Sequence, residues 1–554
     1  MVDSRVEGGG EPPKARSSLG EHKKQKTDHP KLAFKLNTLH QAWIEKHFVG
    51  KNANAHTNSL QDLLPTHIVK NAIQVHLHNF MVDLDFVFEL CPTLNCVPNI
   101  VVVHGDGRPK QSAPYIRHPQ QFLLLQPPCE RFGTHHSKMI VVECPHELRV
   151  SVVTANFVFS DWYNKTNGIW TGIFPRRASN GSDSSRGGFH ADLYDYYAAM
   201  RKCGMNPPTN WEPNNEQDAW RRLDLKFLDE FDFSSATARL IGSIPGRHNG
   251  AALGKWGHMR VREILDGESP GAKFSHLLFQ FSSLSSVGEK AWFDELCRSF
   301  GGRKWSSQKI QVVFPTQTEI LQSLEGWYAG KSLPCDVKNA DKLRKKLEEL
   351  GGEICGWDGG DTECGGANGR SRAVPHIKTF LRYCMEDRSI PWFILASHNL
   401  SQAAWGKLEK KDTQLYIKSY EVGVLLLPSL VAQQDPPTIR RQSFYAPRLR
   451  STAPSDAWIL PVPYALPPRV YKPDDIIWST TDGIQLPASQ RDAPRDRYHS
   501  KAGDPASFYL EQAIGRILVQ KIKEAPISAG EDAGSLSVNG SRVELPAEEV
   551  IDLC

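Results

Sequence analysis

The stretches GTHHSKMIVVE at residues 133–143 and AVPHIKTFL at residues 373–381 decide the fold, because they repeat one pattern in two halves of the chain. Each stretch places a His-x-Lys pair at the start of an apolar run that is typical of a buried β-strand. The two pairs are His136 with Lys138 and His376 with Lys378. A single such pair arises often by chance, so the repetition is the informative feature.

An asparagine follows each pair at a similar distance and in a similar strand context. Asn156 ends the strand pattern of VVTANFVFSDW, 20 residues after His136. Asn399 ends the strand pattern of FILASHNLSQAAW, 23 residues after His376. The repeat predicts two similar halves packed about a pseudo-twofold axis, with both sets of side chains converging on one pocket.

The spacing within each pair has a simple structural meaning. Residues i and i+2 of a strand share one face, so His136 and Lys138 should project together while Ser137 points away. By the same rule, His135 should face away from the pocket and have a structural role. We assign a structural role to Glu143 as well.

The residue types predict phosphoryl chemistry. A phosphoryl transition state spreads negative charge over its non-bridging oxygens, which two lysines and two asparagine amides can stabilise. One histidine can attack phosphorus while the other protonates the departing oxygen, which gives a two-step displacement. Symmetry alone leaves open which histidine attacks. The carboxylates are dispersed, so we expect a reaction that uses no metal and no other cofactor.

Strand and helix patterns alternate around the two motifs, which favours an α/β fold. The predicted strands are IQVHLHNFMVDLDFVFEL (73–90), IVVVHG (100–105), FLLLQ (122–126), KMIVVE (138–143) and LRVSVVTAN (148–156). The predicted helices are DLYDYYAAMRKCG (192–204), EKAWFDELCRSFGG (289–302) and ADKLRKKLEELGG (340–352). The Gly-rich residues 351–372 should be a mobile surface loop. AWILPVPYALPP (457–468) and IIWS (476–479) should pack back onto the core.

Length and composition bound the class of protein. A chain of 554 residues exceeds what one hydrophobic core usually serves, so two domains are expected. With 66 Lys and Arg against 62 Asp and Glu, the net charge is only +4, so any nucleic-acid footprint must be local. The 11 scattered cysteines favour reduced thiols in the cytosol or nucleus. No secretory leader or membrane-spanning run is predicted.

Segments between residues 72 and 480 resemble the type-1 tyrosyl-DNA phosphodiesterases, a branch of the phospholipase D superfamily. The segments that carry the resemblance are VHGDGR (103–108), GTHHSKM (133–139), DWYNKTNGIW (161–170), IGSIPGR (241–247), KWGHMR (255–260), QFSSLSSVG (280–288), SLEGWYAGKSLP (323–334), PHIKTF (375–380), NLSQAAWG (399–406) and SYEVGVLLLP (419–428). The superfamily usually follows its HxK with an aspartate, whereas this branch uses the His-x-Lys…Asn form found here.

The resemblance implies an α/β fold of two similar phospholipase D-like α-β-α sandwich domains, joined in one chain as a pseudo-twofold pair. The expected domains are residues 32–233, with the first HxK, and residues 234–500, with the second. Residues 1–31 are expected to be a disordered leader, because their Gly, Pro, Ser and charge content cannot bury enough apolar surface. Residues 501–554 are expected to form one helix, ASFYLEQAIGRILVQKIKE, and a flexible tail.

The resemblance also implies a DNA repair hydrolase. Such an enzyme cleaves the 3′-phosphotyrosyl bond of stalled topoisomerase I adducts, and other 3′-blocking groups, through a covalent phosphohistidine, leaving a 3′-phosphate without a metal. His136 would be the nucleophile, and His376 the acid for the leaving phenolate and then the base for water. Glu421 would orient a catalytic histidine. The implied phosphate-binding residues are Lys138, Lys378, Asn156 and Asn399.

Seven further residues would lie along the DNA strand by the same resemblance. They are Phe132, Ser282, Ser283, Ser286, Lys342, Ser401 and Ala403. Aromatic stacking combined with hydroxyl and backbone contacts suits single-stranded DNA that is bound without sequence reading. The expected partners are therefore single-stranded and double-stranded DNA 3′ ends and a topoisomerase I-derived peptide, with no membrane and a monomeric enzyme.

Two positions depart from the family pattern. The family commonly has a glutamine in the DW…KT.GIW segment, where this chain has Asn167, a shorter amide that should support the catalytic site less firmly. Relatives carry a tyrosine before the MVDLD-like strand, where this chain has Phe80 beside the DNA path, so any role of a hydroxyl is lost.

The tails suggest location and a partner. Lys23, Lys24 and Lys26 form a basic cluster that fits nuclear import or a plain solvated tail, and we expect a nuclear protein. The last residues resemble a SUMO-interacting motif, which adds a short strand to a partner's sheet. The residues of this motif are Val550, Ile551, Asp552 and Leu553. Two other classes stay open at this stage, namely a phospholipase or sugar-phosphate transferase of the same superfamily and a catalytically silent DNA-binding scaffold.

Overall fold

The computed structural model describes most of the chain between residues 33 and 480. The described residues are 33–39, 53–54, 56–106, 109–177, 188–202, 225–268, 273–284, 290–302, 308–357, 369–434, 443–446 and 457–480. Residues up to Ala493 belong to one compact unit, and a second unit, Pro494–Cys554, lies wholly outside the described residues.

Strands and helices alternate through the described residues. The strands are β1 Phe34–Asn37, β2 Thr57–Asn58, β3 Gln74–Met81, β4 Ile100–Asp106, β5 Phe122–Leu125, β6 Met139–Glu143, β7 Glu147–Val153, β8 Gly168–Pro175, β9 Ala238–Ser243, β10 Gly246–Asn249, β11 His276–Gln280, β12 Lys309–Val313, β13 Glu353–Cys355, β14 Thr379–Tyr383, β15 Ser389–Ile390, β16 Trp392–Ala396, β17 Lys407–Glu409, β18 Gln414–Ile417, β19 Glu421–Leu426, β20 Phe444–Tyr445 and β21 Trp458–Ile459.

The α-helices are α1 Leu60–Leu63, α2 Thr66–Val69, α3 Leu84–Leu90, α4 Ala113–Arg117, α5 Phe159–Tyr163, α6 Phe189–Lys202, α7 Gly257–Glu268, α8 Lys290–Gly301, α9 Gln317–Leu321, α10 Val337–Glu349, α11 Gln402–Trp405 and α12 Pro428–Ala432. The 3₁₀-helices are Pro92–Cys96, Pro109–Gln111, Pro119–Gln121, Leu225–Glu230, Gly250–Ala252 and Gly326–Ser332.

Two large mixed sheets repeat one strand order. Among the described residues, the first sheet has eight strands in the order β2-β1-β8-β7-β6-β3-β4-β5, and the second has seven in the order β13-β12-β11-β14-β16-β19-β9. In the first, β4 and β5 run parallel to β3. On the other side of β3 lie β6, β7 and β8, each antiparallel to its neighbour. In the second, β11 takes the place of β3. β12 and β13 run parallel to β11 on one side, and β14, β16 and β19 lie on the other side, each antiparallel to its neighbour. The expected pair of similar α/β halves is confirmed, and the strands after the two motifs, β6 and β14, occupy equivalent positions.

Each sheet is covered on both faces. Along β6, Met139 and Val141 join a core shared by the two sheets, and Ile140 and Val142 join a separate core beneath the N-terminal helices α1, α2, α3 and α5. The outer face of the second sheet, including Phe380 of β14, packs against α7, α8 and α10. Burial on both faces explains why the strands read as nearly continuous apolar runs.

The prediction of one strand-like segment over residues 73–90 is wrong in its second half. β3 ends at Met81, and residues 84–90 form helix α3. Asp83 caps this helix, since its carboxylate accepts a hydrogen bond from the backbone N–H of Phe86 at 3.0 Å. A capping residue followed by an apolar run starts a helix, and this signal outweighs the β-propensity of the run.

The Gly-rich stretch 351–372 is also more structured than expected at its start. α10 ends at Glu349, and Gly351 adopts φ +64, as the predicted glycine stop requires. Residues 353–355 then form β13, an edge strand parallel to β12. Residues 358–368 lie outside the described residues, so their predicted mobility stays untested.

The expected return of the C-terminal islands onto the core is confirmed. Trp458 and Leu460 are buried in the core between the sheets, and Ile477 and Trp478 are buried under the second sheet. The indole N–H of Trp478 donates to the carbonyl of Leu333 at 2.9 Å. These contacts extend the folded part of the chain well past β19.

Several predictions fall outside the described residues. They are the disordered leader at residues 1–31, the helix at 506–524, the tail with Val550, Ile551, Asp552 and Leu553, the basic cluster with Lys23, and Ser286. The domain boundaries at residues 233 and 500 stay predictions. Within the described residues, no helix combines the length and apolar character needed to cross a membrane.

One close backbone approach gives a stability prediction. A Cβ added to Gly133, just before the first motif, would lie 1.9 Å from the carbonyl oxygen of Lys418. Backbone cannot move aside cheaply, so we expect Gly133→Ala to lower the free energy of unfolding by about 1–3 kcal/mol, measured by urea denaturation.

Gly267→Ala is the matched control, because a Cβ there meets no atom within 4 Å on helix α7. We expect that variant to be neutral or more stable, by up to about 1 kcal/mol. Equal unfolding free energies for the two variants would contradict the close-approach explanation.

Candidate active site

Each His-x-Lys pair lies at the end of a central strand of its sheet, at the same end as the asparagine that follows the neighbouring strand. His136 and Lys138 immediately precede β6, and Asn156 follows the antiparallel strand β7. The three residues therefore lie at the same end of these two neighbouring strands. The Ser137 hydroxyl bonds to the phenol of Tyr196 within the core, on the side away from the pair. The predicted alternation is therefore found at the first motif.

The second motif repeats this arrangement. His376 and Lys378 precede β14, and Asn399 follows β16, which pairs antiparallel with β14. In each half the lysine ammonium donates to the carbonyl of its own histidine, from Lys138 at 3.0 Å and from Lys378 at 2.6 Å. The two pairs thus share one local geometry.

Backbone hydrogen bonds join each motif to the opposite half. The N–H of His136 donates to the carbonyl of Tyr420 at 2.9 Å, just before β19 of the second half. The N–H of His376 donates to the carbonyl of Thr166 at 3.0 Å, just before β8 of the first half. Glu421 directly follows Tyr420, and Asn167 directly follows Thr166. Each half therefore places a polar side chain next to the other half's histidine.

Glu421 holds His136. Its Oε2 lies 2.9 Å from His136 Nδ1, and it also accepts the Ser397 hydroxyl. Burial raises the pKa of Glu421, but His136, His398 and Ser397 outweigh burial and lower it to about 2. The carboxylate is therefore ionised near neutral pH and accepts a hydrogen bond from the Nδ1–H of His136, which leaves Nε2 of His136 with its lone pair.

Asn167 and Asp161 hold His376. Asn167 Oδ1 lies 3.1 Å from His376 Nδ1, and Asp161 Oδ2 lies 3.3 Å from the same nitrogen. Burial raises the pKa of Asp161, but His376, the Lys165 ammonium at 2.8 Å and the Asn156 N–H together lower it below its usual value. The shorter amide of Asn167 still reaches its histidine, and it does so beside a buried carboxylate.

The electrostatics of the pocket favour an anion. Burial lowers the pKa of Lys138 to about 8, although Glu421 and Asp161 oppose the shift. Burial and the Lys138 ammonium lower the pKa of Lys378 well below its usual value. Burial also lowers the pKa of both His136 and His376. A bound phosphate would relieve this cation repulsion, because its negative charge stabilises the protonated forms.

The two asparagines are oriented by backbone N–H groups. The side-chain carbonyl of Asn399 accepts from the N–H of Ser282 at 3.1 Å and from the N–H of Ser283 at 3.0 Å. The side-chain carbonyl of Asn156 accepts from the N–H of Met81 at 3.4 Å. With its oxygen engaged in this way, each amide directs its NH₂ group to the opposite side, where it can donate to a phosphate oxygen.

Two of the expected DNA-contact residues are aromatic and lie beside the first motif. The ring centroid of Phe80 is 5.6 Å from that of His136, and the Lys138 ammonium is 5.8 Å from the Phe80 centroid. Phe132 is 79% exposed with φ +64, and the Arg131 guanidinium carbon lies 4.8 Å from its ring centroid. Phe80 thus packs against the pair by its ring, whereas Phe132 presents its ring to solvent.

The remaining expected contacts are spread more widely. Ser282 is buried and Ser283 half-buried beside Asn399, and the buried Ser401 caps α11 through the N–H of Ala404. The carbonyl of Ala403 accepts from the N–H groups of Lys418 and Ser419. Lys342 is exposed on α10. The roles of all the predicted site residues stay predictions at this point.

His135 and Glu143, to which structural roles were assigned, pack against residues outside the two catalytic pairs. His135 is buried, and its ring contacts those of His78 and Tyr420 at centroid distances of 6.0 and 5.6 Å. Glu143, at the far end of β6, accepts a hydrogen bond from Gln74 at 2.6 Å and pairs with Arg176 at 3.5 Å.

Sequence reasoning missed a buried polar support behind His376. Asn37 accepts from the N–H of Asn167 at 2.8 Å and from the Arg370 guanidinium at 3.0 Å, and both residues are buried. Lys165, which pairs with Asp161, also lies 3.9 Å from Glu325. The segment DWYNKTNGIW contains Asp161 and Lys165 at i and i+4, a spacing that can signal an ion pair on a helix. Asn37 and Arg370 carry no local signal of this kind.

Across the described ranges between residues 33 and 480, no group of three or more His, Cys, Asp or Glu side chains is placed to hold a metal ion.

Two copies of one α/β unit, each bringing His, Lys and Asn to a shared buried pocket, define a phosphodiesterase of the phospholipase D type. The chain belongs to the tyrosyl-DNA phosphodiesterase family, whose sequence profile matches residues 38–472. The resemblance inferred from the motifs is therefore confirmed.

Individual relatives agree with this assignment. Tyrosyl-DNA phosphodiesterase 1 of Arabidopsis thaliana is 35% identical over 463 residues, covering 78% of this chain and 72% of that protein. The Drosophila melanogaster protein of the same name is 28% identical over 444 residues, covering 75% and 69%. The crystal structure of yeast tyrosyl-DNA phosphodiesterase matches with a TM-score of 0.59 at 17% identity, covering 81% of this chain and 100% of that chain. That structure supports the fold alone.

Proposed function

We propose that this chain is a DNA repair hydrolase that removes tyrosine, or a tyrosine-bearing peptide, from the 3′-phosphate of DNA. The observation that carries this proposal is the reciprocal support of the two histidines. Glu421 of the second half lies 2.9 Å from His136, and Asn167 of the first half lies 3.1 Å from His376. Two histidines with different partners in one cationic pocket suit a displacement in two steps.

In the first step, Nε2 of His136 attacks phosphorus and the bond from phosphorus to the tyrosine oxygen breaks. Protonated His376 gives its Nε2 proton to the departing phenolate. The DNA 3′-phosphate is then joined to His136 as a phosphohistidine, and Glu421 stabilises the positive charge on that imidazole. Lys138, Lys378 and the asparagine amides carry the charge on the non-bridging oxygens.

In the second step, His376 accepts a proton from water and the hydroxide attacks phosphorus. The phosphorus–nitrogen bond breaks, His136 regains its lone pair, and a 3′-phosphate is released. The tyrosine hydroxyl has a pKa of about 10, so its phenolate departs readily and His376 is more important for the second step than for the first. The same logic admits 3′-blocking groups other than tyrosine.

The direct test uses a single-stranded oligonucleotide with a 3′-phosphotyrosyl end and an excess of EDTA. We expect wild type to release tyrosine and leave a 3′-phosphate, because lysines and amides rather than metal ions hold the phosphate oxygens in this proposal. Products are followed by denaturing electrophoresis and mass spectrometry.

A 5′-phosphotyrosyl oligonucleotide and phosphatidylcholine vesicles serve as comparison substrates. Release of tyrosine mainly from the 5′ end, or cleavage of lipid in place of the 3′ substrate, would contradict the proposed function. The lipid assay also separates it from the phospholipase alternative.

Membership of the family supports DNA as the substrate. We further propose a nuclear location, a SUMO partner at Val550, Ile551, Asp552 and Leu553, a topoisomerase I-derived peptide as leaving group and a monomeric enzyme. These four proposals rest on the sequence and the family resemblance, and the SUMO motif lies outside the described residues.

A further inference from the structure

An aromatic and basic strip lies on the surface next to the first motif. Its members are Arg131, Phe132, Arg247, Tyr416 and Lys418. Phe132 is 79% exposed, and the Arg247 side chain is 53% exposed. Neither the two histidines nor the phosphate-binding set explains why aromatic rings and cations should alternate here.

The strip consists of aromatic rings with cationic side chains beside them. Arg247 of β10 lies directly across from Tyr416 of β18 in an antiparallel register, and its guanidinium carbon sits 4.0 Å from the ring centroid. The Lys418 ammonium lies 5.8 Å from the same centroid. Arg131 stacks on Phe132 at 4.8 Å. Each ring therefore has a cation beside it, and the Arg247 guanidinium also lies 3.5 Å from the Glu409 carboxylate.

Backbone contacts make the strip continuous with the catalytic pocket. Tyr416 hydroxyl reaches Glu130 at 3.3 Å, and Gly133 lies tightly against the carbonyl of Lys418. The N–H of Thr134 donates to the Ser419 hydroxyl at 3.2 Å. The next residues along the two segments are His135 and His136 on one side and Tyr420 and Glu421 on the other.

The strip is therefore one end of a path that leads out from His136. Tyr416 and Glu421 are five positions apart in the chain, so their Cα atoms lie at most about 16 Å from each other at about 3.3 Å per residue. A DNA strand held at the catalytic histidine could therefore place a base a few nucleotides from the cleaved bond beside Tyr416.

We infer that Tyr416 and Arg247 form a stacking site for a base of the DNA strand, several nucleotides from the cleaved bond. The inference rests on the proposed function and extends it. Aromatic rings and guanidinium planes stack on bases without regard to sequence, and the three cations of the strip suit the phosphates between them. The three cations of the strip outnumber the two carboxylates in contact with it, Glu130 and Glu409, so charge complementarity favours the nucleic acid over a neutral peptide on the protein side of the adduct.

The test compares a short substrate, a 3′-phosphotyrosyl mononucleotide that has no base beyond the nucleotide at the cleaved bond, with a long substrate, a 3′-phosphotyrosyl oligonucleotide of roughly 16 nucleotides, the upper end of the usual single-strand site sizes. Tyr416→Leu removes the ring and should raise KM on the long substrate about tenfold, the effect of losing one stacked base, with kcat unchanged. KM on the short substrate should stay near the wild-type value. Tyr416→Phe keeps the ring and should behave as wild type on both.

Arg247→Ala provides a second variant, on a side chain that is 53% exposed, so the substitution removes little buried packing. It should also raise KM on the long substrate alone. Unchanged KM in both variants, or an equal rise on short and long substrates, would overturn the inference. A KM that instead follows the length of a tyrosine-bearing peptide would assign the strip to the protein side. Wild-type cleavage of the short substrate separates these outcomes from failure of the proposed function.

Discussion

Replacing His136 with alanine is expected to abolish turnover of the 3′-phosphotyrosyl substrate, with a loss on the order of 10⁶-fold, because the nucleophile itself is removed. No covalent protein–DNA adduct should form. His376→Ala should instead lower turnover by about 10²–10⁴-fold, the usual effect of losing a general acid and base. Tyrosine can still depart from that variant, but water is no longer activated, so the phosphohistidine adduct should accumulate.

The adduct can be measured on denaturing gels with a 5′-labelled oligonucleotide, and its site can be mapped by mass spectrometry. His146→Ala is a suitable control, because His146 is exposed in the turn between β6 and β7, at the opposite end of the same strand. An adduct on the His136 variant, or its absence on both variants, would reverse or cancel the assigned roles. Geometry alone does not decide the order, since His136 is half-buried, His376 is buried, and the Nδ1 of each has a hydrogen-bonding partner.

The fold and the core of the site could be predicted from the sequence because both depend on repetition. The HxK spacing, the downstream asparagines and the apolar strands are local patterns, and each occurs twice. The sequence predicts the equivalence of β6 and β14 for the same reason. The strand prediction was wrong over residues 84–90, because Asp83 caps a helix there despite the strong β-propensity of the residues that follow.

The supports of the histidines were harder to predict because their contacts are long-range. His136 and Glu421 are 285 residues apart in the chain, and Arg370 and Asn37 are 333 apart. Only the family resemblance predicted a role for Glu421, and Asp161 was not predicted to be a site residue. No pattern within a strand or helix specifies a contact that forms when two halves of a chain meet.

The same contacts explain why the halves act together. Thr166 of the first half accepts the N–H of His376, and Tyr420 of the second half accepts the N–H of His136. Each half positions the other half's histidine, so neither half holds a complete site. The symmetry is broken at the supports. Glu421 is bonded by the Ser397 hydroxyl, whereas Asp161 is paired with the Lys165 ammonium.

Asp161→Asn is expected to slow the breakdown of the adduct more than its formation. The carboxylate lies 3.3 Å from His376 Nδ1 and raises the pKa of that buried histidine, opposing the effect of burial. Without it His376 becomes a weaker base toward water, and turnover should fall by about 10²–10⁴-fold with the adduct present at steady state. Glu421→Gln should act on the other histidine, slowing formation of the adduct by a comparable factor and leaving little of it to detect.

Single-turnover kinetics with a labelled oligonucleotide separate the two rates. Glu143→Gln is the matched control, because Glu143 is a buried carboxylate at the far end of β6, bonded to Gln74 and Arg176, and should leave both rates unchanged. Asp161→Asn also leaves Lys165 without its nearest partner, so the double variant Asp161→Asn/Lys165→Met removes this buried ion pair, while Glu325 keeps its hydrogen bond from Asn164 at 3.1 Å. If that double variant is as stable as wild type yet still accumulates adduct, Asp161 positions His376. A loss of adduct formation in step with stability would make its contribution purely structural.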